Sequence, residues 1–254
     1  MTHDVLVIAV FCHNTGSATR STMNELITWA INSKVLNPKR LGIILINDGS
    51  NDDSTDKEIR SAILELREVL NPLFVDTINN SSRLGLAHSL AKSIELIPKI
   101  TTTEECWLTQ IPGNDQVPAQ SLDQFIPTGH DYALEILYRS NPKARPLIKR
   151  IASKVLQIIV RNTIKFPSIE ATANFLAPLS FYTKWLNKNS GHAYGVWLIA
   201  GALIDNVEIR QRGFQLKESY RNRHYSRRRL PKLRDIILML IQLRKVRSFM
   251  RRSL

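Results

Sequence analysis

Short β-branched runs and longer segments with helical spacing alternate through the first half of the chain. The runs VLVIAVFC and RLGIILIN are continuous apolar stretches, which is typical of buried strands. The predicted strands are 5–12, 40–47, 73–79 and 106–111, and the predicted helices are 21–36, 54–70 and 85–97. This order predicts an α/β fold with a doubly wound, mainly parallel sheet; the alternative is an α+β domain of another topology.

Helix boundaries follow from capping residues and from the end of each periodic pattern. Ser21 and Ser54 each precede a periodic apolar segment, so we predict them as N-caps. After residue 119 the segments 144–164 and 233–254 predict basic amphipathic helices, whereas 165–200 has no clear period. No internal repeat or low-complexity linker divides the sequence, so we do not split it into separate domains.

Composition bounds the class of protein. The 254 residues are 43% hydrophobic, which is enough for one sizeable core. Cys12 and Cys106 lie in apolar stretches, so we expect buried free thiols in a reducing compartment. The first apolar run follows Asp4 and ends at His13, which predicts a strand and not a secretory signal. No run reaches the roughly 18 apolar residues that a membrane-spanning helix needs.

The net charge of +13 is concentrated in the second half of the sequence. Residues 1–138 carry 10 Lys/Arg against 17 Asp/Glu, residues 139–216 carry 12 against 3, and residues 217–254 carry 13 against 2. A basic second half indicates an anionic partner, for which phosphates, lipid headgroups and nucleic acid are the candidates.

Polar residues follow the second predicted strand in the stretch INDGSNDDS. Asn47, Asp48, Gly49 and Ser50 are turn formers, and a plain turn would explain them. However, open α/β sheets bind ligands at the carboxyl ends of their strands, so these residues are also candidates for a binding site.

Four stretches, in this order, resemble the nucleotide-sugar half of family 2 glycosyltransferases: VIAVFCHN, ILINDGSNDDS, SSRLGLAHSLAKSI and WLTQIPGNDQVP. Within that family the sequence is most similar to enzymes that glycosylate polyprenyl phosphates, such as dolichyl-phosphate mannosyltransferase. The resemblance implies a GT-A fold, Rossmann-like, with a mainly parallel sheet flanked by helices. It also implies a domain over 1–230, with a nucleotide-sugar half (1–118), an acceptor half (119–230) and a basic amphipathic helix at 231–254.

The resemblance implies roles for residues at the ends of the first two strands. Asp48 would contact the nucleotide base, since a carboxylate accepts the ring N–H of uracil or guanine. Gly49 and Ser50 would turn the backbone beside that base. Asn14 matches an Asn of the family, although the Pro and Glu that flank it there are replaced here.

The third and fourth stretches imply contacts with the diphosphate. Arg83 and Gly85 match the loop that leads into a helix, whose N-terminus favours anions; a simple helix cap is the alternative. The family's Asp-x-Asp motif is degenerate, because Pro112 and Asn114 replace its two Asp residues and Asp115 follows one place on. The resemblance still implies Mg²⁺ or Mn²⁺ bound by Asp115, and nucleotide-sugar contacts from Asn114 and Asp115.

Later segments resemble the acceptor half of the family. Arg139, Arg221 and Arg223 match positions that would bind the acceptor or its phosphate, although a solvated basic face is the alternative. If the acceptor is an alcohol, a carboxylate must take its proton, and Asp131 and Glu170 are the candidate catalytic residues. A phosphate acceptor is already anionic and needs no strong base.

We therefore predict transfer of a sugar from a nucleoside diphosphate sugar to a polyprenyl phosphate or a cell-surface glycan precursor. The C-terminal apolar run IILMLIQL is too short to span a bilayer, and its basic flanks fit a helix in the headgroup plane of an anionic membrane. A core helix with solvated basic ends is the alternative. We expect a cytoplasmic protein, peripheral on the inner face of the membrane through residues 227–254.

Other classes of protein remain as alternatives. A degenerate GT-A protein could bind a nucleotide sugar or a partner without catalysis. A basic nucleic-acid-binding protein is disfavoured because the aromatic residues (7%) are not interleaved with the basic tail and no known module is present, so we expect no nucleic acid. A nucleotidyltransferase is disfavoured because the first strand lacks a glycine-rich, basic end.

Overall fold

A computed structural model describes residues 5–34, 36–101, 106–124, 133–141, 147–166, 174–217 and 233–253. The strands are β1 (Val5–Cys12), β2 (Leu41–Asp48), β3 (Phe74–Asn80), β4 (Cys106–Pro112), β5 (Ala133–Arg139), β6 (Asn174–Pro178) and β7 (Glu208–Phe214). The α-helices are α1 (Ser17–Asn32), α2 (Asp53–Leu70), α3 (Leu86–Ile100), α4 (Leu147–Ile164), α5 (Leu179–Trp185), α6 (Tyr194–Ile204) and α7 (Leu233–Ser253). Short 3-10 helices lie at Pro38–Arg40, Ala119–Gln124 and Lys188–Ala193.

The seven strands form one sheet in the order β3-β2-β1-β4-β6-β5-β7. The neighbouring strands β3, β2, β1 and β4 are all parallel, and β7 is parallel to β5. Strand β6 is antiparallel to both of its neighbours, β4 and β5. The mainly parallel α/β sheet that the sequence predicts is therefore confirmed.

Both faces of the sheet are covered by helices, which explains why its strands are apolar throughout. Leu6, Ile8 and Val10 of β1 share one core with residues of α1 and α2. The alternate residues Val7 and Ala9 face a second core, to which α3, α5, α6 and α7 contribute. Helix α6 lies in the stretch without clear period, and it is apolar on all sides because nearly all of it is buried.

Two helix starts differ from the predicted ones, because Gly16 and Asp52 lie at the N-cap positions in place of Ser21 and Ser54. Helix α1 begins at Ser17, one turn before the predicted cap Ser21, and the side chain of Thr55 accepts the backbone N–H groups of Thr15 and Gly16 at 2.9 and 2.8 Å. Helix α2 is capped by Asp52, and not by Ser54; its carboxylate accepts the Thr55 N–H at 3.1 Å. The N-cap predictions were wrong, although both helices exist.

The basic amphipathic helices predicted for the second half are confirmed as α4 and α7. Helix α7 packs one side against the second core through Leu243, Val246 and Met250. Among the described helices, none combines the length and apolar content needed to cross a bilayer.

Candidate functional site

Three adjacent parallel strands end at one edge of the sheet. Strand β1 lies between β2 and β4 in register, so the residues that follow these strands are neighbours in space. They include most of the polar residues that the sequence singles out as nucleotide-sugar ligands.

The loops after β1 and β2 are joined by side-chain hydrogen bonds. The Asn14 backbone N–H donates to Ser50 Oγ at 3.0 Å, and the Asn51 N–H donates to Asn14 Oδ1 at 2.9 Å. The Ser50 N–H donates to Asn47 Oδ1 at 3.0 Å. Asn14 has a left-handed backbone, with φ of 51°, which Asn tolerates better than most residues. The structure thus brings the predicted residues Asn14 and Ser50 together at the edge.

Asp48 is fully buried below this edge. Its Oδ1 accepts hydrogen bonds from Asn80 Nδ2 at 2.9 Å, Ser89 Oγ at 3.2 Å and the Leu84 N–H at 2.9 Å. Its Oδ2 accepts the Gly85 N–H at 2.9 Å. Oδ1 thus accepts three donors and Oδ2 one, and the carboxylate has no exposed surface. Asp48 therefore anchors the start of α3, and its predicted contact with a base would require the surrounding contacts to open.

Gly49 packs directly against the loop that carries Arg83. A Cβ at Gly49 would lie 2.3 Å from the Ser82 carbonyl carbon, and its φ of +64° is left-handed, so only glycine fits there. Arg83 is exposed, and Gly85 is the N-cap of α3 with φ of 87°. Because α3 follows β3, its first N–H groups lie at the same edge as Arg83. No described side chain caps these N–H groups.

Asp115 lies against α1 and the segment after β7. It is 2% exposed, and Lys217 Nζ lies 2.6 Å from its Oδ1. The Asp115 N–H donates to Thr22 Oγ1 at 2.9 Å, and Lys217 also forms an ion pair with Glu25 of α1. The Glu25–Lys217–Asp115 triad joins α1, the loop after β4 and the segment after β7, which come from distant parts of the sequence.

The described residues do not fit a divalent cation at the degenerate motif. No group of three His, Cys, Asp or Glu side chains comes together in the described part of the chain. Asn114 Oδ1 is buried without a hydrogen-bond partner there, but the Asp115 carboxylate already binds an ammonium group. Mg²⁺ and Mn²⁺ need several oxygen ligands, and the Lys217 charge would oppose a second cation at the same carboxylate.

Arg139 ends β5, which points in the same direction as β4 but lies two strands away. Neighbouring strands are about 4.8 Å apart, so Arg139 lies about 10 Å across the sheet from the residues after β4. The remaining predicted residues, Asp131, Glu170, Arg221 and Arg223, lie outside the described residues, and their roles stay predictions.

Several residues at the edge were missed by sequence reasoning. His13 Nδ1 donates to the Asp48 carbonyl oxygen at 2.9 Å, and Lys92 Nζ donates to Asn80 Oδ1 at 2.6 Å. The position of Asn80 at the end of β3, and the spacing of Ser89 and Lys92 on α3, could have suggested one cluster. Lys217 gave no local signal, because its partner Asp115 lies 102 positions earlier.

Buried titratable groups near the sheet are not chemically activated. Burial raises the pKa of Cys12 to about 11 and that of Cys106 to about 12, so neither is a thiolate nucleophile at neutral pH. Burial also raises the pKa of Glu135 on β5, although Arg212 and Arg210 on the neighbouring strand β7 partly offset it.

Several solved structures with a similar architecture are glycosyltransferases. Glucosyl-3-phosphoglycerate synthase from Mycobacterium tuberculosis, solved with Mn²⁺, UDP and glucosyl-3-phosphoglycerate, has a TM-score of 0.61 at 12% identity, covering 97% of this chain and 81% of its own. A mannosyltransferase from Pyrobaculum calidifontis, solved with GDP-Man and Mn²⁺, has a TM-score of 0.56 at 11% identity. The match covers 100% of this chain and 73% of the mannosyltransferase. TarS (residues 1–349) from S. aureus has a TM-score of 0.53 at 11% identity, and the match covers 95% of this chain and 80% of the TarS chain.

The fold of the chain is therefore the GT-A type of glycosyltransferases, as the sequence resemblance implies. No protein-family model matches the sequence, and a search of curated proteins gives no match. Because the identities are only 11–12%, the likeness shows the fold alone. The donor, the acceptor and the chemistry must be inferred from the residues of this chain.

Proposed function

We propose that the protein is a glycosyltransferase that moves a hexosyl group from a nucleoside diphosphate sugar to an acceptor. One observation carries the proposal: in a GT-A-type sheet, the loops after β1 and β2 meet the uncapped start of α3 at the carboxyl edge. Similar structures were solved with UDP or with GDP-Man, which supports a nucleotide sugar as the ligand class.

The edge offers separate surfaces for the base and the diphosphate. The joined Asn14 and Ser50 loops present amide and hydroxyl groups to the base and ribose. Arg83 and the free N–H groups of α3 supply positive charge for the diphosphate. Asp48 holds the two surfaces together, since it accepts N–H groups from the loop that follows Arg83.

In the reaction, the acceptor attacks the anomeric carbon while the nucleoside diphosphate leaves. The leaving group gains negative charge, and Arg83 with the α3 N-terminus stabilises that charge. A phosphate acceptor attacks with an oxygen that is already anionic. Arg139, Arg221 and Arg223 are then the residues that bind it, whereas an alcohol acceptor would require Asp131 or Glu170 as a general base.

A polyprenyl phosphate is the acceptor that this charge distribution favours. Residues 139–254 carry 25 Lys/Arg against 5 Asp/Glu, so the second half of the chain attracts anionic groups. Residues 1–118 then serve the donor, residues 119–230 serve the acceptor, and residues 227–254 contact the inner face of the membrane.

The Glu25–Lys217–Asp115 triad favours a second candidate, a GT-A-fold protein that binds a nucleotide sugar without transfer. The triad uses the carboxylate that the family motif would devote to the metal and diphosphate. Both candidates require the same nucleotide pocket, and they differ only in turnover.

Thermal unfolding with UDP, GDP, CDP and dTDP, each with Mn²⁺ and with EDTA, tests the pocket. We expect one nucleotide to raise the Tm, because binding to the native state stabilises it by mass action. Arg83→Ala should reduce that rise, whereas Arg60→Ala, an exposed arginine on α2, should not. No rise with any nucleotide would refute both candidates. Release of the nucleoside diphosphate from the matching sugar nucleotide then distinguishes transfer from binding alone.

A further inference from the structure

Helix α4 leaves an apolar stripe in solvent. Four large aliphatic residues are exposed on it: Leu147 (63%), Ile151 (54%), Val155 (50%) and Ile158 (60%). At about 100° per residue they lie within an arc of about 80°, on the side opposite Val160 and Leu156, which face the core. The stripe therefore does not take part in folding, and monomeric proteins seldom leave such a surface uncovered.

Basic residues border this stripe. Lys154 and Arg161 are exposed along one side of it. The sequence of α4 contains four Lys/Arg and no Asp or Glu, so the helix is cationic along its whole length. An apolar stripe with cations along one side, on a helix whose sequence contains no acidic residue, is the pattern of a helix that lies in the plane of an anionic membrane surface.

Helix α7 continues the same surface. Four exposed aliphatic residues lie in its first half: Ile237 (48%), Leu238 (48%), Leu240 (41%) and Ile241 (43%). They are on the side away from Leu243 and Val246, and the same outward side of the second half carries exposed basic residues, namely Arg244, Lys245, Arg247, Arg251 and Arg252. Because α4 and α7 contact each other over one core, their outward sides adjoin. We call these exposed apolar and basic residues the α4–α7 surface.

An apolar surface of this kind could bind a second copy of the chain or an anionic membrane, and its charge distinguishes these two partners. A second copy of the chain related by a two-fold axis would place the α4–α7 surface against itself. The exposed charged side chains described on the two helices are all cations, two on α4 and five on α7, so each copy would bring like charges to the contact. Like charges across an interface oppose association, whereas anionic headgroups neutralise them.

We propose that the α4–α7 surface docks on an anionic lipid bilayer, with the stripes of both helices at the boundary between headgroups and acyl chains. The docking area thus includes the middle of the sequence and not the C-terminal helix alone. Membrane docking is inferred from the exposure and charge of the α4–α7 surface, and it does not depend on whether the protein transfers a sugar. It also orients the chain, with α4 and α7 toward the membrane and α1 and α2 on the opposite face of the sheet.

Vesicle flotation with the full chain tests the proposal. We expect the protein to float with phosphatidylcholine vesicles that contain phosphatidylglycerol, and to stay in solution with phosphatidylcholine alone. The double variant I151Q/V155Q should lose at least about tenfold in vesicle affinity, because the burial of two aliphatic side chains is lost. L64Q is the matched control, since Leu64 is 69% exposed on α2, on the opposite face.

The outcomes distinguish binding to a membrane from binding to a second copy of the chain. Both substitutions are at exposed positions, so the Tm should be unchanged and a loss of flotation cannot be assigned to unfolding. Equal flotation of I151Q/V155Q and L64Q would overturn the role of α4. Binding to neutral vesicles at the same strength would overturn the role of charge. A wild-type dimer in light scattering that dissociates in I151Q/V155Q would assign the surface to a second copy. Nucleotide-induced Tm shifts, measured in parallel, report on the proposed function separately.

Discussion

Replacing Asp48 by Ala removes the acceptor for four hydrogen bonds at the start of α3. Asn80 Nδ2 also donates to Ser89 Oγ at 3.0 Å, so the Asn80 amide keeps a partner, whereas the Ser89 O–H loses its acceptor. The backbone N–H groups of Leu84 and Gly85 lose theirs. Each orphaned donor costs about 1–3 kcal/mol, so we expect the loss of the two backbone bonds to lower the free energy of unfolding by about 2–6 kcal/mol. That is a large fraction of the roughly 5–15 kcal/mol that stabilises a typical domain.

Urea unfolding followed by tryptophan fluorescence measures this loss, since Trp29 and Trp107 are buried in the core beside β1 and β2. Asp53→Ala is the matched control. Asp53 is exposed in the first turn of α2, where loss of a helix-dipole contact costs about 0.5 kcal/mol. A loss below about 1 kcal/mol for Asp48→Ala would contradict the anchoring role, because the donors would then be satisfied without the carboxylate.

Three further predictions follow from the described geometry. Because Asp115 already pairs with a lysine, EDTA should not reduce the Tm shift produced by the matching nucleotide; a shift that requires Mn²⁺ would contradict this pairing in the bound state. Because burial raises the pKa values of Cys12 and Cys106, neither thiol should react with a disulfide reagent at pH 8 in the native protein, and both should react in urea; rapid native labelling would contradict their burial. Burial raises the pKa of Asp205, but hydrogen bonds from Lys184 and an indole N–H outweigh burial and lower it from 3.8. Asp205→Asn should therefore destabilise the protein by up to about 1 kcal/mol at neutral pH, and urea unfolding should show this difference disappearing as the pH falls below 3.8; a constant difference would contradict the pairing.

The first four strands and the helices between them could be predicted because the signal is local, whereas β5, β6, β7 and the order of strands in the sheet were not predicted. Strand β1 matches its predicted limits, and β2, β3 and β4 match theirs within one residue, since each is a continuous apolar run bounded by polar residues. The alternation with helices then favours parallel pairing, and parallel pairing places the ends of β1, β2 and β4 at one edge. The position of the candidate site therefore follows from the sequence.

The partners of each charged group were decided by the tertiary structure alone. The family resemblance implies that Asp48 contacts a base and that Asp115 binds a metal, because each lies at or just after the end of a strand in a stretch similar to a family motif. Folding brings the α3 loop to Asp48, and it brings Lys217, from the far end of the described sheet, to Asp115. A carboxylate binds whichever donors lie within about 3 Å, and those donors can come from any distance along the chain.

The same distinction applies to the helices of the second half. Apolar periodicity determined by itself that α4 and α7 would be amphipathic, since spacing along a helix is a local property. Periodicity cannot tell which apolar side faces the core, because two aliphatic stripes on one helix look alike in the sequence. Packing against the core buried Val160 and left Ile151 and Val155 in solvent. The tertiary structure thus decided which stripe stabilises the fold and which stays exposed to solvent.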